Sequence, residues 1–199
     1  MTELTTLRAL AGLPLQPPSL AASTLILIDC QNTYTSGVME LEGVQAALDE
    51  AAALLDRARS AGIPIIHIQH DDGPGSLYDI AGESGAIVSR VAPRDGEPVV
   101  VKNYPNSFVS TALDEHLKSV NAANLVIAGF MTHMCVNSTA RGAFNLGYAP
   151  TVVAGATATR SLPGVDGSDV PAATLQAASL AALTDLFAVV VQDSAAIPD

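Results

Sequence analysis

The stretch Thr24-Leu25-Ile26-Leu27-Ile28-Asp29 decides the fold. It is a continuous β-prone apolar run that ends in an acid, the pattern of a strand buried on both faces of a parallel sheet. Five similar runs follow: residues 63–68, 98–101, 124–128, 150–154 and 187–191. Between them, segments 43–61, 107–120, 133–146 and 171–185 place apolar residues at helical spacing. Gly62, Gly147 and the Asn121 region read as helix C-terminal caps, and Pro64 and Pro150 stop continuation. Strands alternating with helices predict a three-layer α/β/α sandwich around a six-stranded, mainly parallel sheet.

Two stretches break this rhythm. Residues 71–97 are rich in turn chemistry, and residues 159–170 combine Pro163 with Gly164 and Gly167. Long irregular connections in compact domains are often lids or binding loops. We find no internal repeat and no linker, so the 199 residues read as one domain with a core from about 22 to 192.

Composition excludes several function classes. Nine Lys plus Arg stand against twenty Asp plus Glu, a net charge of −11, so the average field repels nucleic acid and anionic membranes. No stretch reaches membrane-spanning length, and the apolar residues before Leu15 are interrupted by Gly12 and Pro14, unlike a secretory leader. Two cysteines, Cys30 and Cys135, point to the reduced cytoplasm. Only 15% of residues are charged against 49% hydrophobic, which predicts that a homo-oligomer, dimer or tetramer, covers part of the surface.

In open parallel sheets ligands bind beyond the carboxyl ends of the strands. Three polar residues qualify: Asp29 after the first strand, Lys102 after the third, and Cys135 just beyond the fourth. Taken singly, each is more simply a turn cap, a solvated cation or an inert thiol. The setting of Cys135 changes that reading. Thr132 suits a helix N-cap, which places His133, Met134 and Cys135 in a first turn whose amides and dipole favour a thiolate. Asp29 then serves as proton acceptor, although its reference pKa of about 3.9 makes it a weak base unless burial raises it. Lys102 holds that carboxylate ionised.

The segments 27–34 (Leu-Ile-Asp-Cys-Gln-Asn-Thr-Tyr), 101–108 (Val-Lys-Asn-Tyr-Pro-Asn-Ser-Phe) and 129–141 (Gly-Phe-Met-Thr-His-Met-Cys-Val-Asn-Ser-Thr-Ala-Arg) resemble the three signature segments of the isochorismatase-like cysteine hydrolase superfamily. The likeness runs from about 22 to 192. It implies an Asp29, Lys102, Cys135 triad, a non-proline cis peptide between Phe130 and Met131, and an oxyanion hole made by the amides of Met131 and Cys135. Because Cys135 is present, the chain looks more like the amidohydrolases of that superfamily, such as nicotinamidases and N-carbamoylsarcosine amidases, than like isochorismatases that cleave a vinyl ether. The implied substrate is a small-molecule amide or ureide, and the implied route is a thioester on Cys135. An isochorismatase-type vinyl ether or ester hydrolase, and a noncatalytic or redox-responsive binding protein, are the alternatives.

Tyr34, Phe108, Phe130, Met131 and His133 are candidate substrate-binding residues, and Arg160 is a candidate partner for a substrate carboxylate. The stretch His67-Ile-Gln-His70-Asp71-Asp72 does not reproduce the Asp-x-His metal pattern of nicotinamidases. Residues three apart on a strand face opposite sides, so no metal and no cofactor is expected there. Cys30 is expected to be a core thiol on the strand face opposite Asp29.

Overall fold

The computed structural model describes residues 4–199. A short helix α1 (Leu7–Leu10) precedes β1 (Ser23–Ile28), followed by α2 (Val44–Ala61), β2 (Ile65–His70), β3 (Val99–Lys102) and α3 (Leu113–Ser119). Then come β4 (Asn124–Phe130), a π-helical turn (Thr132–Val136), α4 (Asn137–Asn145) and β5 (Ala149–Ala158). A small antiparallel hairpin, β6 (Leu162–Pro163) and β7 (Asp169–Val170), leads to α5 (Ala172–Thr184) and β8 (Val189–Val191). The six longer strands form one sheet in the order β3-β2-β1-β4-β5-β8, every neighbouring pair parallel.

The central position of β1 follows from its sequence, because all six of its residues are buried. Leu25 and Leu27 face a core shared with Leu48, Leu54 and Leu55 of α2. Ile26 and Ile28 face the opposite core, against Leu113 and Leu117 of α3, Ala140 and Ala143 of α4, and Leu183 of α5. These two apolar layers make the α/β/α sandwich. The reading of 43–61 as a helix closed by Gly62 matches α2, whose cap has φ +65° and donates to the carbonyls of Ala58 and Arg59.

Two of the predicted helices are shorter than their patterns. Residues 107–120 yield only α3, because Ser107, Phe108 and Thr111 are held in a loop by side-chain bonds to Thr139, Asn106 and the Ser107 carbonyl. Thr132 is also not an N-cap. Met131 occupies that place without a side-chain bond, and the Thr132 hydroxyl is buried without a partner. Cys135 therefore lies in a π-helical turn, and α4 proper starts two residues later.

The 71–97 connection folds back along the end of β1. Asn32 and Thr33 donate from their backbone to Ala86 and Ser84, and Val88 donates to the Cys30 carbonyl. Gly85 is required where this strap turns, since a Cβ there would lie 2.2 Å from the Asp79 carbonyl oxygen. At its base Glu97 takes paired 2.8 Å bonds from Arg59 and a 3.0 Å contact from the buried His67. This engagement removes His67 from any site at the strand ends. Among the described residues no helix is long and apolar enough to cross a membrane.

Arg59 and the backbone of Arg94 hold the Glu97 carboxyl down at about 2. A depressed carboxylate stabilises the fold above its unfolded value, and that contribution disappears as pH falls through the folded one. Glu97→Gln is expected to lower unfolding free energy at pH 7 by about 2 kcal/mol, the scale of charge-assisted bonds. In urea titrations the two proteins should converge as pH drops from about 4.5 to 2.

Candidate active site

β1 does not simply end at Asp29. By strict alternation Asp29 would share the face of Leu25 and Leu27, and Cys30 that of Ile26 and Ile28. Instead Cys30 packs with Leu25 and Leu27, while Asp29 faces Lys102. The break is local: Asp29 adopts φ +49°, a left-handed conformation uncommon outside glycine and strained enough to mark functional sites. Its amide still pairs with Ile68 of β2, so the turn is made at the last rung of the ladder.

Beside it, parallel pairing puts His70 of β2 in register with Lys102 of β3, and both side chains point to the α3–α5 face with Ile68 and Val100. On the other side, β4 approaches β1 so closely that a Cβ on Gly129 would meet the Ile28 carbonyl oxygen at 2.0 Å. Gly129 has φ +116°, and the peptide between Phe130 and Met131 is cis. The chain then enters the π-helical turn that carries Cys135.

Asp29, Lys102 and Cys135 thus meet. Lys102 Nζ lies 2.7 Å from Asp29 Oδ2 and 3.4 Å from Cys135 Sγ. Asp29 and Lys102 are fully buried, and Cys135 is 5% exposed. Lys102 pairs directly with the carboxylate, and the Cys135 thiol lies within hydrogen-bond reach of the same group. The pair is a contact ion pair, and a carboxylate with two donors beside it keeps further acceptor sites.

Burial raises the pKa of Asp29, opposed by Lys102, which supplies the basicity an exposed Asp lacks. The thiol departs from the sequence expectation. Burial, with the Asp29 charge, pushes Cys135 up to about 12 against the pull of Lys102. Burial therefore works against a preformed thiolate, and the sulfur lies beside a carboxylate whose own basicity burial raises.

Other candidates divide. Tyr34 is 2% exposed, makes edge contacts with Phe130 and Tyr78 at 5.8 Å, and has its hydroxyl pKa raised by burial and by Asp29. Met131 packs in the same cluster. His133 Nδ1 meets the Thr159 hydroxyl at 2.6 Å, and its pKa is lowered by burial and by Arg160. Phe108 belongs elsewhere: its ring stacks on Tyr148 at 5.9 Å, just before β5 begins, and Tyr148 bonds Asp114 of α3. It packs against the core on the α3–α5 face, near the start of β5.

Three residues were missed. Tyr78 arrives on the strap, edge-on to His70 at 5.0 Å. Gln31 is fully buried; it accepts from the His70 amide at 2.9 Å and donates to the carbonyls of His70 and Gly85 at 2.9 and 2.7 Å. His70 itself contacts Lys102. A buried Gln after the strand acid was the one sequence signal available. Among the described residues no group of three or more His, Cys, Asp or Glu is disposed to hold a metal.

Known proteins resemble this chain over most of its length. The isochorismatase domain family matches residues 23–194. The chain is 33% identical to a secreted isochorismatase effector of Verticillium dahliae, over 92% of this chain and 95% of the relative. It is 31% identical to a ureidoacrylate amidohydrolase of Stutzerimonas stutzeri, over 73% and 75%. The crystal structure of an isochorismatase from Pseudomonas putida superposes with a TM-score of 0.92 at 39% identity, covering 95% and 97% of the two chains.

The charges around Cys135 predict opposite shifts. In a Cys30→Ser background, Asp29→Asn should lower the pH at which Cys135 alkylates, and Lys102→Met should raise it. The pH dependence of the iodoacetamide rate measures both; a common direction would contradict the geometry.

Proposed function

The chain belongs to the isochorismatase family of hydrolases, and from that premise we propose that it cleaves the carbon–nitrogen bond of a small amide or ureide through Cys135. The observation that carries this reading is the meeting of Lys102 Nζ with Asp29 Oδ2 at 2.7 Å and Cys135 Sγ at 3.4 Å in a buried niche. A neutral thiol beside a carboxylate of raised basicity suits proton transfer coupled to attack.

Asp29 takes the thiol proton as sulfur attacks the carbonyl carbon. The amides of Met131 and Cys135 receive the oxyanion. Asp29 then hands the proton to the leaving nitrogen, and a thioester stays on Cys135. Water, deprotonated by Asp29, releases the acid and restores the thiol. Lys102 offsets the changing charge on Asp29 and sulfur throughout.

The amidohydrolase relative at 31% identity supports a carbon–nitrogen bond over a vinyl ether. A redox switch between the cysteines finds no support: Cys30 and Cys135 are free and belong to cores on opposite faces of the sheet. The two free thiols support a cytoplasmic setting. Substrate is held by Tyr34, Phe130, Met131 and His133. Arg160, whose Nε is buried without a partner and whose charge is felt by His133, takes an anionic group of that substrate.

A panel of small amides, ureides, esters and isochorismate tests the bond class. Cys135→Ala should abolish turnover of the accepted compound while the melting curve stays two-state, and wild-type turnover by that variant would end the reading. For a carboxylate-bearing amide, Arg160→Met should raise KM roughly tenfold with kcat little changed, the mark of lost ground-state binding.

A further inference from the structure

Lys102 has a third partner that the proton transfers above do not use. Its Nζ lies 3.1 Å from Nδ1 of His70, in addition to Asp29 and Cys135. An ammonium carries three protons and no lone pair, so a nitrogen in hydrogen bond with it must be an acceptor. The ring of His70 is then neutral, with its lone pair on Nδ1 and its proton on Nε2. Nε2 faces Asp72 Oδ1 at 3.3 Å, an acceptor suited to that proton.

The ring is built into place from several sides. Gln31 clamps the His70 backbone through both its N–H and its C=O, Tyr78 packs edge-on against the imidazole, and ladder register sets His70 next to Lys102. We propose that His70 is a positioning residue whose Nδ1 holds one Lys102 proton away from Asp29, keeping the ammonium shared between carboxylate and sulfur.

The consequence follows from the acceptor sites that Asp29 keeps beyond its contacts with Lys102 and Cys135. A buried donor released from His70 would turn to the nearest acceptor, and Asp29 Oδ2 lies 2.7 Å from the same Lys102 nitrogen. Lys102 would then commit a second proton to Asp29, weaken it as a base and draw away from Cys135. This inference rests on the proposed thiol chemistry, but reactivity of Cys135 toward an alkylating agent reads it without any amide being turned over.

Two substitutions separate the acceptor from the ring. His70→Asn keeps an oxygen acceptor near the position of Nδ1 and loses the ring; His70→Phe keeps the ring against Tyr78 and loses the acceptor. In a Cys30→Ser background at pH 7.5, His70→Phe should slow iodoacetamide modification of Cys135 about tenfold, the ratio expected for one buried hydrogen bond, and His70→Asn should stay within about threefold of the parent. Equal slowing in both variants, or an unslowed His70→Phe, overturns the proposal. In the unsubstituted protein, nitrogen-15 NMR of labelled histidine should show an unprotonated Nδ1 and a protonated Nε2 on His70. A proton on Nδ1 overturns it without any variant.

Discussion

The ion pair between Asp29 and Lys102 is the constraint around which the rest is arranged. Both groups are completely removed from solvent, and stripping two charges of water costs several kcal/mol per ion unless each is well partnered. Lys102 is: carboxylate, imidazole and thiol surround its three protons. Asp29 is less fully matched, since Lys102 and the Cys135 thiol are the donors beside its two oxygens. Burial raises the carboxylate's pKa against the opposing pull of Lys102 and the Cys135 thiol.

Holding such a pair requires the backbone to depart from regular geometry at the same place. The left-handed turn at Asp29 reverses the face of one side chain. Gly129 lets β4 come against the end of β1, and the π-helical turn places Cys135 opposite. Gln31 acts as a substitute peptide, bonding β1 to the end of β2 and to the strap that brings Tyr78. The hydrophobic sandwich supplies the stability that these departures consume, with apolar layers on both faces of β1. The pKa of a small buried cluster is thus set by elements distant in sequence.

Much of this was legible from the residues. The six strands and the main helices follow from apolar runs and helical spacing, since burial on two faces demands continuous apolar strands. The candidates at the strand ends followed from the rule that parallel sheets bind ligands there. Failures came where local preference met tertiary competition. Thr132 has an N-cap's chemistry but lies buried without a partner at the start of a π-helical turn. Phe108 follows Lys102 by only six residues, yet the loop bonds of Ser107 and Asn106 turn it toward Tyr148. His70 was weighed only as a metal ligand, because nothing local announces a hydrogen bond to a lysine thirty-two residues away.

The sequence by itself determined the α/β order and the apolar layers and singled out Asp29, Lys102 and Cys135 as candidates, because periodicity and strand ends are local properties of the chain. Only the tertiary structure decided that burial raises the pKa of both the sulfur and the carboxylate, and that Lys102 meets His70 as well as Asp29 and Cys135. Those depend on distances between strands and on exclusion of water, and Coulomb and desolvation energies are fixed by three-dimensional separation rather than by position along the chain.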